Sequence, residues 1–224
     1  MLTLRTLFRC GLAMLAFGIS NPALVYGDVL YNSLFGASDS SLGTFAIGGA
    51  GPEGDSFSTL GHDFLLTNVL VELQGAQDSH NFSLSLYSDN LTSCPTPSTC
   101  AGGPLAPLYT IAVVNDDLLS SSFAATYNFS LATPQFLSAD TRYWIVASSS
   151  DGSGTLWSYT ADTSGVGVAT EFDADAYGIG PTSNEPFQMA VLGRTVPEAG
   201  PLFPLALAGF GVVAVFLHRK RRPA

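Results

Sequence analysis

Short stretches in which apolar and polar residues alternate with a period of two dominate the middle of this 224-residue chain. In Asn81–Tyr87 the phenylalanine and the two leucines fall on one face, and the serines fall on the other. Further strand candidates, two of them apolar on both faces, lie at 69–73, 105–114, 126–131, 142–147 and 187–191. Such spacing is typical of β-strands, and no useful helical periodicity occurs between residues 28 and 195. The sequence therefore predicts an all-β domain, an antiparallel β-sandwich of jelly-roll-like form.

Turn-forming residues separate these candidates. Ser150–Gly154 lies between the strand candidate 142–147 and a shorter one at 156–159, and it predicts a hairpin-like connection. The stretch from Ser164 to Glu185 has no clear periodicity and several carboxylates, so we expect an irregular acidic loop there.

The first 27 residues have the order of a secretory signal peptide. Arg5 and Arg9 are followed by the apolar run Cys10–Ile19, which is too short to span a bilayer. Small residues follow, and we expect cleavage after Gly27, with Ala23 as the other candidate. Residues 28–195 then form the exported domain.

The last 29 residues, 196–224, have three parts in fixed order. The segment Val196–Ala199 is followed by the uncharged stretch to Leu217 and then by a basic end, 218–224. A helix over the 19 residues from Ala199 to Leu217 would just cross a hydrocarbon core of roughly 30 Å. The basic cluster should stay in the cytoplasm, which places the preceding domain outside. Its charged residues are Arg219, Lys220, Arg221 and Arg222.

The exported domain is strongly acidic. It contains 17 of the 18 acidic residues but only two basic ones, Arg142 and Arg194, which gives a net charge of −15. Such a surface repels nucleic acid, so nucleic-acid binding is excluded as a function. Cys94 and Cys100 lie in a Pro-rich loop and predict a disulfide in an exported protein.

The tail resembles the PEP-CTERM sorting signal, in which a Pro-Glu motif precedes a short apolar helix and an Arg-rich stop. Val196, Pro197 and Glu198 match the motif, whereas Ala199 stands where the usual signal has proline. The resemblance implies an exosortase-type transpeptidase of the inner membrane as a partner. It also implies a Gram-negative host, delivery to the envelope or extracellular matrix, and a link to exopolysaccharide. An unprocessed single-span anchor is the alternative.

The domain resembles the bacterial family called choice-of-anchor R over roughly residues 30–192. The stretches that carry the resemblance are Phe82–Asp89, Leu137–Trp144, Trp157–Tyr159 and Phe187–Ala190. They are strand-and-turn signatures of a β-sandwich, and the resemblance transfers no catalytic residue. The Cys94–Cys100 segment departs from the family pattern.

Candidate chemistry is sparse. Glu171, Asp173 and Asp175 resemble part of a calcium loop, but an EF-hand would need an oxygen ligand where Tyr177 stands. The alternatives are a solvated acidic loop and a calcium site that is not an EF-hand. No other metal or cofactor site is expected, and no nucleophile elbow occurs. The chain is therefore predicted not to be an enzyme.

Aromatic residues in the strands give a second functional hypothesis. Trp144, Trp157 and Tyr159 could contact sugar rings, although aromatics at such positions are more often core residues. We therefore expect a non-enzymatic surface or matrix protein, with an exopolysaccharide-binding module as the alternative.

Overall fold

The computed structural model describes residues 27–34, 43–48, 53–90, 102–175, 178–181 and 185–197. The described residues form an all-β fold, as predicted, and every strand pairing among them is antiparallel. The strands are β1 (Asp28–Asn32), β2 (Gly43–Ala46), β3 (Glu53–Ser58), β4 (Phe64–Gln74), β5 (Asn81–Asp89), β6 (Pro104–Asn115), β7 (Ala125–Leu137), β8 (Arg142–Ser148), β9 (Leu156–Tyr159), β10 (Phe172–Asp175), β11 (Gly178–Pro181) and β12 (Met189–Thr195).

Sheet A contains β1, β2, β4, β7, β9 and β12, with β4 at its centre. β7 pairs along one side of β4, while β12 and then β9 pair along the other side. β1 extends the sheet beyond β12, and β2 extends it beyond β9. The first and last strands of the domain are therefore neighbours.

Sheet B has the order β11-β10-β3-β8-β5-β6. Its central strand β8 pairs with β3 on one side and with β5 on the other. Residues 142–147 of β8 are all buried, which fits the apolar character of both faces in the sequence. β6, at the edge of the sheet, is largely exposed although its sequence is equally apolar.

The alternating residues of the central strands form the core between the two sheets. Val69, Val71 and Leu73 of β4 are buried, as are the phenylalanine and leucines of β5. An aromatic group closes the core near β9, where the rings of Trp157 and Phe187 lie 4.9 Å apart. The period-two pattern thus predicted the inward faces of β4 and β5.

The predicted hairpin at Ser150–Gly154 is wrong. β8 belongs to sheet B and β9 belongs to sheet A, so this segment crosses from one sheet to the other. The physical reason is that β3 and β5 already occupy both edges of β8, which leaves no backbone groups for β9 to pair with.

The expected irregular loop at 164–185 is also wrong in part. It contains one turn of 3-10 helix at Val168–Thr170 and the antiparallel pair β10 and β11. Phe172 and Ala174 are buried against Trp144 and Val146, on the face of sheet B that points away from the main core. Two apolar side chains alternating with carboxylates were thus enough to make a strand.

The edge strand β6 carries three irregularities in its pairing with β5. In the register, Leu105, Leu108 and Ile111 are the extra residues, and the two leucines are more than half exposed. Bulges at a sheet edge increase the local twist and oppose pairing with another strand. β6 is therefore protected from edge-to-edge association without any charged residue.

The strand β4 runs from one end of the sandwich to the other. The end at which β4 begins and β12 leaves the domain is called the exit end, and the opposite end is called the far end. The exit end is formed by the β3–β4 turn (59–63), the β7–β8 turn (138–141) and the end of β12. The far end is formed by the segments 75–80, 116–124 and 149–155. Among the described residues no helix is long and apolar enough to cross a bilayer, and the predicted span 199–217 lies outside them.

Candidate functional site

The two tryptophans proposed for sugar contact are completely buried. The indole nitrogen of Trp144 donates to Asp89 at 2.8 Å, and that of Trp157 donates to the carbonyl of Gln188 at 3.1 Å. Tyr159 is half buried, and its ring packs 5.1 Å from the ring of Phe45. A sugar platform needs an exposed ring face, and neither indole offers one in this structure. Trp144 and Trp157 are therefore core residues, which is the usual role of aromatic residues at such positions.

Glu171, the first of the calcium candidates, is held in a buried ion pair. Its carboxylate lies 2.9 Å from Nε of Arg142, and both side chains are only 2–3 % exposed. The hydroxyl of Ser56 donates to the same carboxylate oxygen at 2.6 Å. The guanidinium of Arg142 also lies 4.6 Å from the ring centre of Phe172. These contacts fasten the start of β10 to β3 and β8.

The sequence held a signal for this ion pair. Arg142 is one of two basic residues in the domain, and it begins a strand that is apolar on both faces. A charge in such a strand becomes buried, and a buried charge requires an opposite charge and hydrogen bonds. A carboxylate partner for Arg142 was therefore to be expected, although its position in the chain was not predictable.

Asp173 lies on β10 directly opposite Asp55 of β3. Asp55 is fully buried and accepts a hydrogen bond of 2.8 Å from the hydroxyl of Tyr31. Burial raises the pKa of the Asp55 carboxyl well above its usual range, and the nearby charges of Asp173 and Glu171 raise it further. Burial also raises the pKa of Tyr31, so this pair favours the neutral forms.

These contacts decide how the calcium candidates can act. The carboxylate of Glu171 is committed to Arg142 and Ser56, and Asp173 lies in an extended strand. Within the described residues no group of three or more acidic, His or Cys side chains is placed to hold a metal ion. The side chain of Asp175 is not among the parts of the chain that the structure describes. The described part of the cluster is thus a polar clamp between strands.

A second group of carboxylates lies at the far end. Asp78 accepts hydrogen bonds from the backbone nitrogens of Gly154 at 2.9 Å and His80 at 3.2 Å. The contact with the Asp116 carboxyl, followed by that of Gly154, lowers the pKa of Asp78 to about 2. Burial and then the Asp78 contact raise the pKa of Asp116. The backbone nitrogen of Asp78 also donates to the carboxylate of Asp116 at 3.3 Å, so the two carboxylates join the three segments of the far end.

The two histidines of the domain are far apart. His62 is exposed in the exit-end turn, whereas Nδ1 of His80 lies 3.3 Å from Asp78 at the far end. The structure therefore does not bring the two together at one site.

The exit end joins the two termini of the domain. The carboxylate of Asp28, at the start of β1, accepts hydrogen bonds from the hydroxyl and the backbone nitrogen of Thr195. Those bonds lower the pKa of Asp28. The next residue, Val196, donates its backbone N–H to the carbonyl of Asp63 at 2.8 Å. The chain is therefore held against the β3–β4 turn up to the first residue of the predicted sorting motif.

The remaining predicted site residues lie outside the described part of the chain. They are Cys94, Cys100, Glu198, Arg219, Lys220, Arg221 and Arg222, so the disulfide and most of the tail stay predictions. No family model matches the chain, and no curated protein matches it at a significant level.

Proposed function

We propose that this chain is a non-enzymatic exported protein of the bacterial cell surface or extracellular matrix. In this proposal the signal peptide directs export, and an exosortase-type transpeptidase of the inner membrane recognises the tail 196–224. The protein passes through an inner-membrane intermediate with its C-terminus in the cytoplasm, and it needs no cofactor.

The observation that carries the proposal is the position of the first and last strands. β1 begins at Asp28 and β12 ends at Thr195, and the two strands pair with each other in sheet A. Removal of the segments predicted for targeting would leave all twelve described strands in place. An exported domain with this arrangement can fold before processing of the tail and stay folded after it.

The strand order supports the finer description of the fold as jelly-roll-like. When the short strands β2, β9, β10 and β11 are set aside, β1-β12-β4-β7 face β3-β8-β5-β6. Two four-stranded antiparallel sheets in one sandwich are the common form of that fold. Because jelly rolls serve many functions, the fold alone does not select one.

A carbohydrate-binding module remains the second candidate function. It would have to use groups other than the rings of Trp144 and Trp157, because these are buried in the domain. Sedimentation of the mature protein with exopolysaccharide from its own host tests this candidate. Co-sedimentation that survives high salt would support it, and protein left entirely in the supernatant would contradict it.

The sorting proposal is tested by changing one residue of the motif in the native host. The variant Glu198→Ala should stay in the inner-membrane fraction at the mass of the unprocessed chain, because the transpeptidase no longer recognises it. The control variant Glu185→Ala, which removes an exposed acidic residue from the domain, should be processed and delivered like the wild type. Normal delivery of Glu198→Ala would contradict the proposal.

A further inference from the structure

We propose that the exit end of the domain is a lipid-contacting surface, which rests on the headgroups of an anionic bilayer while the tail is inserted. This inference rests on the proposed membrane tail. The surface, called here the exit-end patch, consists of Leu60, Phe136 and Arg194.

The first argument is the length of chain between the domain and the predicted span. Val196 is held by its hydrogen bond to Asp63, and the apolar segment begins at Ala199. Three residues of extended chain reach at most about 11 Å. The headgroup layer of one leaflet is roughly 5–8 Å thick. The exit end therefore has to lie in or directly above that layer.

The second argument is the exposure of apolar side chains at this end. Leu60 is 64 % exposed at the tip of the β3–β4 turn, with a positive φ of 41° that is unusual for leucine. Phe136 is 57 % exposed on β7. A strained turn that presents a leucine to solvent gains nothing for the folded domain in water. An apolar side chain does gain by entering the interfacial layer of a bilayer.

The third argument is charge. Arg194 of β12 and Phe136 of β7 both lie opposite Leu65 of β4, so they share the outer face of sheet A. Arg142 is consumed in its buried ion pair, which leaves Arg194 as the exposed basic residue in the described part of the domain. It lies two residues before the chain leaves the domain. A cation at this position can bind a lipid phosphate.

Three acidic residues at the same end act against the attraction of Arg194 for lipid phosphate, because a carboxylate that accepts a hydrogen bond keeps its negative charge. Asp63 accepts a hydrogen bond from the backbone of Ala139, and Asp140 accepts one from Gly61. Asp28 is bonded to Thr195. The net charge of −15 still repels an anionic surface. Contact therefore depends on the tail, which holds the exit end at the bilayer and directs the rest of the acidic surface away from it.

Tryptophan scanning in a bilayer tests the inference. The chain is produced in a host without the transpeptidase and placed in nanodiscs of phosphatidylethanolamine and phosphatidylglycerol, part of which carries bromine near the top of the acyl chains. Trp144 and Trp157 are fully buried and contribute a constant emission. Leu60→Trp and Phe136→Trp should lose emission to the bromine. Leu118→Trp should not, because that residue is 77 % exposed at the far end.

A further variant tests the role of the cation. Arg194→Glu, introduced together with Leu60→Trp, should restore most of the emission in the anionic nanodiscs. Unchanged far-UV circular dichroism would show that the domain remains folded in each variant. Equal quenching at positions 60, 136 and 118 in nanodisc-bound protein would overturn the inference alone. Failure of the chain to co-purify with nanodiscs would overturn the proposed membrane tail and this inference with it.

Discussion

Replacement of Arg142 by Met should be among the most destabilising substitutions in the domain. The change removes the guanidinium that lies 2.9 Å from Glu171, while the carboxylate stays only 2 % exposed. Removing one partner of a buried ion pair typically costs about 3–5 kcal/mol, because the other partner's charge then stays buried without compensation. That is a large share of the roughly 5–15 kcal/mol by which domains are stable.

The assay is urea unfolding and thermal unfolding of residues 28–195, both monitored by circular dichroism. For a domain of this size the loss corresponds to a fall in Tm of about 6–20 °C. Arg194→Met is the matched control, because it removes the exposed basic residue and should cost less than about 0.5 kcal/mol. Adding Glu171→Gln to Arg142→Met should recover much of the loss, since it removes the stranded charge. The reasoning is refuted if Arg142→Met costs no more than the control, or if Glu171→Gln recovers nothing.

Three further predictions concern other parts of the domain. Asp55→Asn should flatten the pH dependence of unfolding. Burial raises the pKa of Asp55 in the folded state, so this group favours folding below its unfolded pKa of about 4 and loses that contribution as the pH rises to its folded pKa. Relative to the variant, wild type should lose up to about 1.4 kcal/mol per pH unit in that window, and parallel urea curves would contradict this. Gly193→Ala should cost about 1–3 kcal/mol in thermal unfolding, because a methyl group would lie only 2.0 Å from the carbonyl oxygen of Leu65; unchanged stability would contradict that contact. Mature protein unfolded without reductant should show no free thiol, as a Cys94–Cys100 disulfide requires; two reactive thiols would disprove the pairing.

The central strands could be predicted from the sequence because a period of two reports burial directly. Asn81–Tyr87 became β5 with its apolar side chains inward, and Val69–Leu73 lies within β4. Each of these strands has one face on the core and one face away from it. In that situation alternation is sufficient information for both the element and its orientation.

Apolarity on both faces did not have a unique meaning. Arg142–Ala147 became the buried centre of sheet B, whereas Leu105–Val114 became its exposed, bulged edge. A sequence window holds no information on how many neighbours a strand will have. The same limit explains the failed hairpin at Ser150–Gly154, because pairing of β8 with β9 depended on whether the edges of β8 were free.

The candidate site was predictable only in part. The sequence placed the sorting motif five residues after the last strand candidate, but it did not predict that the two termini of the domain lie together at the exit end. The contacts of Arg142 with Glu171 and of Tyr31 with Asp55 join residues 29 and 24 positions apart, and they form only when the strands pack. Buried polar contacts of this kind are set by tertiary structure, which a local pattern does not encode.

The central claim is that an exported sandwich is sorted and released through its tail. The most direct measurement is mass spectrometry of the C-terminal peptide of the mature protein from its native host. The account predicts a new C-terminus near Glu198, with the apolar segment and the basic end removed. A mature protein that still carries Arg221 and Arg222 would contradict processing and leave the tail as a permanent anchor.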